Sequence, residues 1–129
     1  MTLAFYSHPD CRAHFMGRGH PECPERLDAI QDHLIATGLL DALDSRDPPL
    51  ATAEQLQRAH SALHVAELRA AMEPLTQSGE HCQIDPDTSA GPGSWQAALR
   101  AAGAAVAATD AVIDGSAQTA FCAVRPPGH

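Results

Sequence analysis

Leu3–Tyr6 is a short apolar run, and its pattern predicts a β-strand. Residues 7–22 have no apolar periodicity and are rich in His, Gly, Pro and Cys, which predicts a long loop. Pro24 suits the first position of a helix. Leu27, Ile30, Leu34 and Ile35 then recur at helical spacing, and Gly38 suits the stop. Asp47-Pro48-Pro49 breaks the chain. Thr52 with Gln55 forms a capping-box pattern that opens a short helix. Ser61 can cap another helix, with Leu63, Leu68, Met72 and Leu75 on its apolar stripe and Pro74 ending or kinking it. Residues 77–93 predict a second long loop. A long helix follows, with Trp95, Leu99, Ala102, Val106, Thr109 and Ile113 spaced as a stripe and Gly115 as its stop. The apolar run Thr119–Val124 predicts a closing strand.

Strand, helices, long helix and strand in that order give α/β organisation with parallel strands. A sheet of two strands cannot bury helices on both faces. The chain therefore reads as part of a larger domain. The last residues support this reading. A strand running into Arg125-Pro126-Pro127-Gly128-His129 delivers a titratable group to the carboxyl edge of a sheet, where open α/β folds bind ligands.

Composition narrows the chemistry. The 129 residues are 44% hydrophobic but only 4% aromatic, and alanine supplies much of the apolar count, so the core is thin. All eight basic residues are Arg, which excludes a Schiff-base or P-loop lysine in this segment. A net charge of −8 without a basic cluster argues against nucleic-acid binding. No run is long enough for a membrane span. Four cysteines without Cys-x-x-Cys spacing, and no signal peptide at the N-terminus, predict a reduced, cytoplasmic protein.

Four segments carry a family likeness. Gly19-His20-Pro21-Glu22-Cys23-Pro24-Glu25-Arg26-Leu27 resembles the N-terminal signature of class II histone deacetylase-like proteins. So do Arg58-Ala59-His60-Ser61 with His64, and Asp85-Pro86-Asp87-Thr88 followed by the long helix with Ala102-Gly103-Ala104. The closing Phe121–His129 run resembles the one that introduces the family's tandem active-site histidines. The family includes histone deacetylases, acetylpolyamine amidohydrolases and acetoin-utilisation proteins.

The resemblance implies an α/β, arginase/deacetylase-like three-layer fold with a central parallel sheet. Residues 1–129 would be the N-terminal portion of a single deacetylase domain, ending within the active-site motif. It also implies zinc-dependent hydrolysis of an acetylated lysine or acetylpolyamine, a small-molecule or peptide substrate, with self-association of the complete protein left open. The second histidine, the Asp-x-His and later Asp that bind metal, and the carbonyl-polarising Tyr have no counterparts here. The zinc ligands are thus expected outside this chain.

Residue by residue, the resemblance makes His129 the first, catalytic histidine of the pair, against an ordinary His after a Pro-rich turn. Asp87 matches the rim aspartate that accepts hydrogen bonds from the substrate amide, although Asp85-Pro-Asp-Thr88 is also good turn chemistry. Arg26 matches a buried arginine beside the acetate-release cavity, against a structural ion pair with Glu22. His20 and Glu22 fall on a loop beside the substrate entrance, where Pro21 and Pro24 could instead only fix the path. A structural zinc cluster of His8, Cys11, His14, His20 and Cys23 fits no standard finger spacing. The rival from another class is a non-catalytic module, or inactive remnant, that binds acylated ligands without turnover.

Overall fold

A computed structural model describes residues 2–128. In chain order its regular elements are β1 (Leu3–Tyr6), α1 (Glu25–Ala36), β2 (Asp44–Arg46), α2 (Ala53–Gln57), α3 (Ala62–Met72), α4 (Leu75–Ser78), β3 (Cys82–Asp85), β4 (Thr88–Ala90), α5 (Ser94–Ile113) and β5 (Thr119–Cys122). The main sheet has the order β2-β1-β5, and both pairings are parallel, with Phe5 opposite Ser45 on one side and Phe121 on the other. The fold is therefore the expected α/β arrangement with a parallel sheet.

The central strand shows why the molecule has three layers. Ala4 and Tyr6 face α5 and pack with Ala104, Ala108, Ala111 and Ala117. Phe5 faces the other way and packs with Cys11, Leu27 and Ala123, on the side covered by α1. A strand buried on both faces reads as a continuous apolar run, as Leu3–Tyr6 does. A third cluster, of Met72, Leu75 and Ala90 with Trp95 and Ile84, joins α3 and α4 to the antiparallel β3–β4 hairpin.

Several local expectations are met. Thr52 and Gln55 make the reciprocal capping box, and the Ser61 hydroxyl accepts from the His64 N–H at 3.1 Å. Gly38 and Gly115 follow their helices with φ of 71° and 80°, a region that glycine enters without steric cost. Pro24 is the residue that caps α1, one position before the helix proper.

Other expectations need correction. The sheet has a third strand, β2, whose Asp-Ser-Arg sequence and exposed faces carry no apolar signal. Residues 77–93 are not one loop: most of them form α4's end and the β3–β4 hairpin. Within the 7–22 loop, Pro9–Ala13 forms a 3₁₀ turn, capped by His8, whose Nδ1 accepts from the Asp10 N–H at 3.1 Å.

The long helix also buries a different face from the one its larger side chains suggest. Its buried residues are Ser94, Ala97, Gly103, Ala104, Ala108 and Ala111, while Ile113 is 78% exposed. Small residues let α5 lie close to its neighbours. A Cβ on Gly103 would collide with the Pro49 carbonyl oxygen, and the Ala51 N–H donates to the Leu99 carbonyl at 3.0 Å. On α3, Leu63 is likewise exposed, and Val65 and Met72 take the buried positions.

All four cysteines are free. No helix among the described residues is long and apolar enough to cross a membrane.

Candidate functional site

The first loop is held from behind by one arginine. Arg125 follows the end of β5, and none of its side chain is exposed. A guanidinium buried without partners would be strongly unfavourable, and here its donors are well satisfied. Nε and Nη2 donate to the two Glu22 carboxylate oxygens at 2.7 and 2.8 Å. Nη1 donates to the Cys11 and His14 carbonyl oxygens at 3.0 and 2.6 Å. Four oxygens, from one carboxylate and two carbonyls of a segment with little regular structure, thus converge just beyond the end of β5. Burial pushes the Glu22 carboxyl up, but the Arg125 hydrogen bonds and charge outweigh it and hold Glu22 below its ordinary value.

Glu22 therefore directs its carboxylate inward, with its side chain only 15% exposed. Arg26, one helical turn on, lies 3.5 Å from Glu22 Oε1 and donates from Nη2 to the Val124 carbonyl at 2.7 Å. Its side chain is 38% exposed, so the buried arginine of this region is Arg125, not Arg26.

His14 lies beside this knot. Its ring is buried, with Nδ1 2.8 Å from Ser94 Oγ, and that oxygen accepts from the Gly91 N–H at 2.8 Å. Burial pushes the His14 pKa down, and the neighbouring Arg125 charge adds to the shift. The same burial pushes the Cys11 thiol up. Asp10 ties the loop to the long helix, since Arg100 donates from Nε to Asp10 Oδ2 at 2.9 Å and from Nη1 to the Pro48 carbonyl at 2.8 Å.

His20 and Asp87 meet at the outer end of this loop. His20 Nε2 is 3.3 Å from Asp87 Oδ1. Asp87 sits at the tip of the β3–β4 hairpin, where its N–H donates to Asp85 Oδ1 at 2.8 Å. The turn reading and an outward-facing carboxylate thus hold together, because the Asp87 side chain is 91% exposed. Next to the hairpin lies a largely apolar groove of about 670 Å³. It is lined by Trp95 and Ala102 of α5, by Leu68, and by Pro126 and Pro127.

Of the residues singled out in the sequence, the structure brings Glu22, Arg26, His20 and Asp87 to one side of the molecule. His129 lies outside the described residues. Sequence reasoning missed Arg125 and His14 as organising groups. The available signal for Arg125 was a lone cation directly after an apolar strand. Among the described residues no group of three or more His, Cys, Asp or Glu is arranged to hold a metal ion. These residues therefore do not fit a zinc centre.

The comparison with known proteins bears directly on this arrangement. The model of the histone deacetylase domain family matches residues 20–129. The chain belongs to the histone deacetylase family. It is 38% identical over 111 residues to the histone deacetylase-like amidohydrolase of Pseudomonas aeruginosa, an alignment covering 86% of this chain and 28% of that protein. It is 30% identical over 135 residues to the polyamine deacetylase HDAC10 of Rattus norvegicus, covering 99% of this chain and 21% of that protein. The crystal structure of the HDA15 HD domain superposes with a TM-score of 0.86 at 27% identity, over 98% of this chain and 35% of that one. The fold is therefore that of the arginase/deacetylase class. The chain spans between about a fifth and a third of the length of these three proteins.

Proposed function

We propose that this histone deacetylase-family chain is the N-terminal portion of one zinc-dependent deacetylase domain. That domain would hydrolyse the acetamide of an acetylated lysine or polyamine to free amine and acetate. The observation that carries the proposal is Asp87. The family match spans it, and it presents an exposed carboxylate at a hairpin tip beside an apolar groove. A carboxylate there is an acceptor for the N–H groups of an amide substrate, and hydrogen bonds to an ionised acceptor are the stronger kind. An apolar groove with a few polar groups at its mouth suits an acyl-amine ligand.

Zinc, in this proposal, would be held by residues outside the 129, and the chemistry it would supply there is polarisation of the acetyl carbonyl and activation of a water. This chain's own contribution is the substrate rim and the turn that leads to His129, the proposed first histidine of the proton-handling pair. In this proposal Arg26, which donates to the Val124 carbonyl, would border the acetate-release side. The 129 residues alone are expected not to turn substrate over.

The test starts with the coding sequence beyond His129. A second His, then Asp-x-His after a further strand, is expected. The complete protein is then assayed on acetyl-lysine peptides and N-acetylpolyamines. Binding of either ligand without hydrolysis would replace the enzyme by an acyl-binding module, and neither binding nor hydrolysis would overturn both.

A further inference from the structure

We propose that His20 is the positioning residue for the Asp87 carboxylate, rather than a substrate contact itself. This deepens the proposed function, because it rests on Asp87 being the substrate acceptor. Two hydrogen bonds define the role of the ring. The Glu22 N–H donates to His20 Nδ1 at 3.1 Å, so Nδ1 must be bare. In a neutral imidazole the proton then resides on Nε2, which faces Asp87 Oδ1 at 3.3 Å and donates to it. The backbone bond thus selects the tautomer that can hold the carboxylate.

The ring is anchored more firmly than the group it holds. His20 is 23% exposed and Asp87 is 91% exposed. Glu22, whose N–H fixes the ring, is itself fixed by the buried Arg125. Asp87 meets this anchored loop through Oδ1, its side chain is otherwise exposed, and among the described residues Oδ2 has no hydrogen-bond partner. An exposed aspartate otherwise samples several rotamers, and one outside restraint removes that freedom before a ligand arrives. One oxygen is used for orientation and the other stays open for a ligand N–H.

The experiment reads orientation and catalysis separately. In ¹⁵N-labelled protein, long-range nitrogen–proton correlations should show His20 as the Nε2–H tautomer. Three-bond couplings should place Asp87 χ1 in one rotamer. His20→Ala should average those couplings, and His20→Gln, which keeps an N–H near the Nε2 position, should restore them. An Nδ1–H tautomer, or an already averaged Asp87 χ1 in the unmodified protein, would overturn the proposal without bearing on the enzyme assignment.

On the complete protein, His20→Ala should raise KM by about tenfold with little change in kcat, and His20→Gln should recover most of the loss. Unchanged KM, with Asp87 demonstrably released, would show that the orientation has no functional consequence and would also overturn the positioning role. If the unmodified protein lacks hydrolysis, the deacetylase reading fails, while the couplings still decide whether His20 orients Asp87.

Discussion

Arg125 and Glu22 meet through two parallel charge-assisted hydrogen bonds, at 2.7 and 2.8 Å, with the arginine side chain wholly enclosed. The pair joins the end of β5 to a loop more than a hundred residues earlier in the chain. It explains how a segment rich in Gly and Pro acquires one conformation. The loop has few apolar anchors, but it has carbonyl groups and one carboxylate that a planar guanidinium can gather.

Removing one partner should therefore be severe. Arg125→Met leaves the Glu22 carboxylate and two carbonyls without their donors, and the expected loss is about 3–5 kcal/mol of stability. Lysine is a poor replacement, because one ammonium cannot reproduce the fork. Arg125→Met combined with Glu22→Gln should cost less than the sum of the single changes, since the two sites share one interaction. Urea denaturation of the four proteins checks this, and strict additivity would show that the pair is not coupled.

Acid stability should fall in two steps whose direction follows from the same site. Unfolding releases His14 from a buried environment that holds its pKa below the ordinary 6.5. The unfolded chain thus binds a proton that the folded one resists, and stability present above about pH 6.5 is lost as pH falls through the folded value. Glu22, also depressed, contributes stability that is present above about pH 4.5 and lost below it. His14→Gln should remove the upper step and Glu22→Gln the lower one. Denaturation midpoints measured from about pH 2 to about pH 8 check both, and an unchanged upper step in His14→Gln would assign it to another group.

Much of the architecture was legible in the sequence because it rests on local rules. Thr52 with Gln55, Ser61, Gly38 and Gly115 mark helix ends by chemistry that acts within four residues. β1 was legible because both its faces are buried. β2 was not, since Asp44, Ser45 and Arg46 pair with β1 without any apolar run to mark them. The hairpin was hidden because Pro86 and the Asp residues at its tip look the same in a loop. The buried face of α5 was misread because burial there follows closeness of approach, not side-chain size. In the site, the resemblance pointed to Asp87, His20 and Glu22, but no spacing rule could show that Glu22 turns inward to Arg125. That contact depends on the tertiary fold.

The close approach of α5 gives a sharp test. In an exposed helix interior, Gly→Ala gains about 1 kcal/mol from propensity. At Gly103 the new methyl would collide with the Pro49 carbonyl oxygen and crowd the Ala51 nitrogen, both on a backbone segment that cannot rotate away. Gly103→Ala should therefore destabilise by about 1–3 kcal/mol in spite of the propensity gain. Ala105, exposed on the same helix, serves as the control, and Ala105→Gly should cost about 1 kcal/mol by propensity alone. Gly103→Ala more stable than the parent in thermal or urea unfolding would show that the 48–51 segment does not lie against the helix as described.

Asp87 carries the functional proposal, and Asp87→Asn in the complete protein separates its two roles. Asparagine suits the hairpin tip, since it tolerates the same turn geometry. The fold should therefore survive, with melting temperature close to that of the parent. The side chain, however, loses its charge and acquires an N–H₂ donor that faces the substrate's own donors. Replacing a charge-assisted acceptor in this way should cost about 1.5–3 kcal/mol of binding in the transition state, or about ten- to a hundredfold in kcat/KM. Bound zinc should stay constant, because in this proposal Asp87 is not a ligand and among the described residues it belongs to no group arranged to hold a metal. Steady-state kinetics, thermal unfolding and metal analysis on the same preparation give three independent readings. Near-parental kcat/KM would leave Asp87 as a turn residue only. A collapsed melting temperature would show that the carboxylate supports the hairpin through His20 and not the substrate.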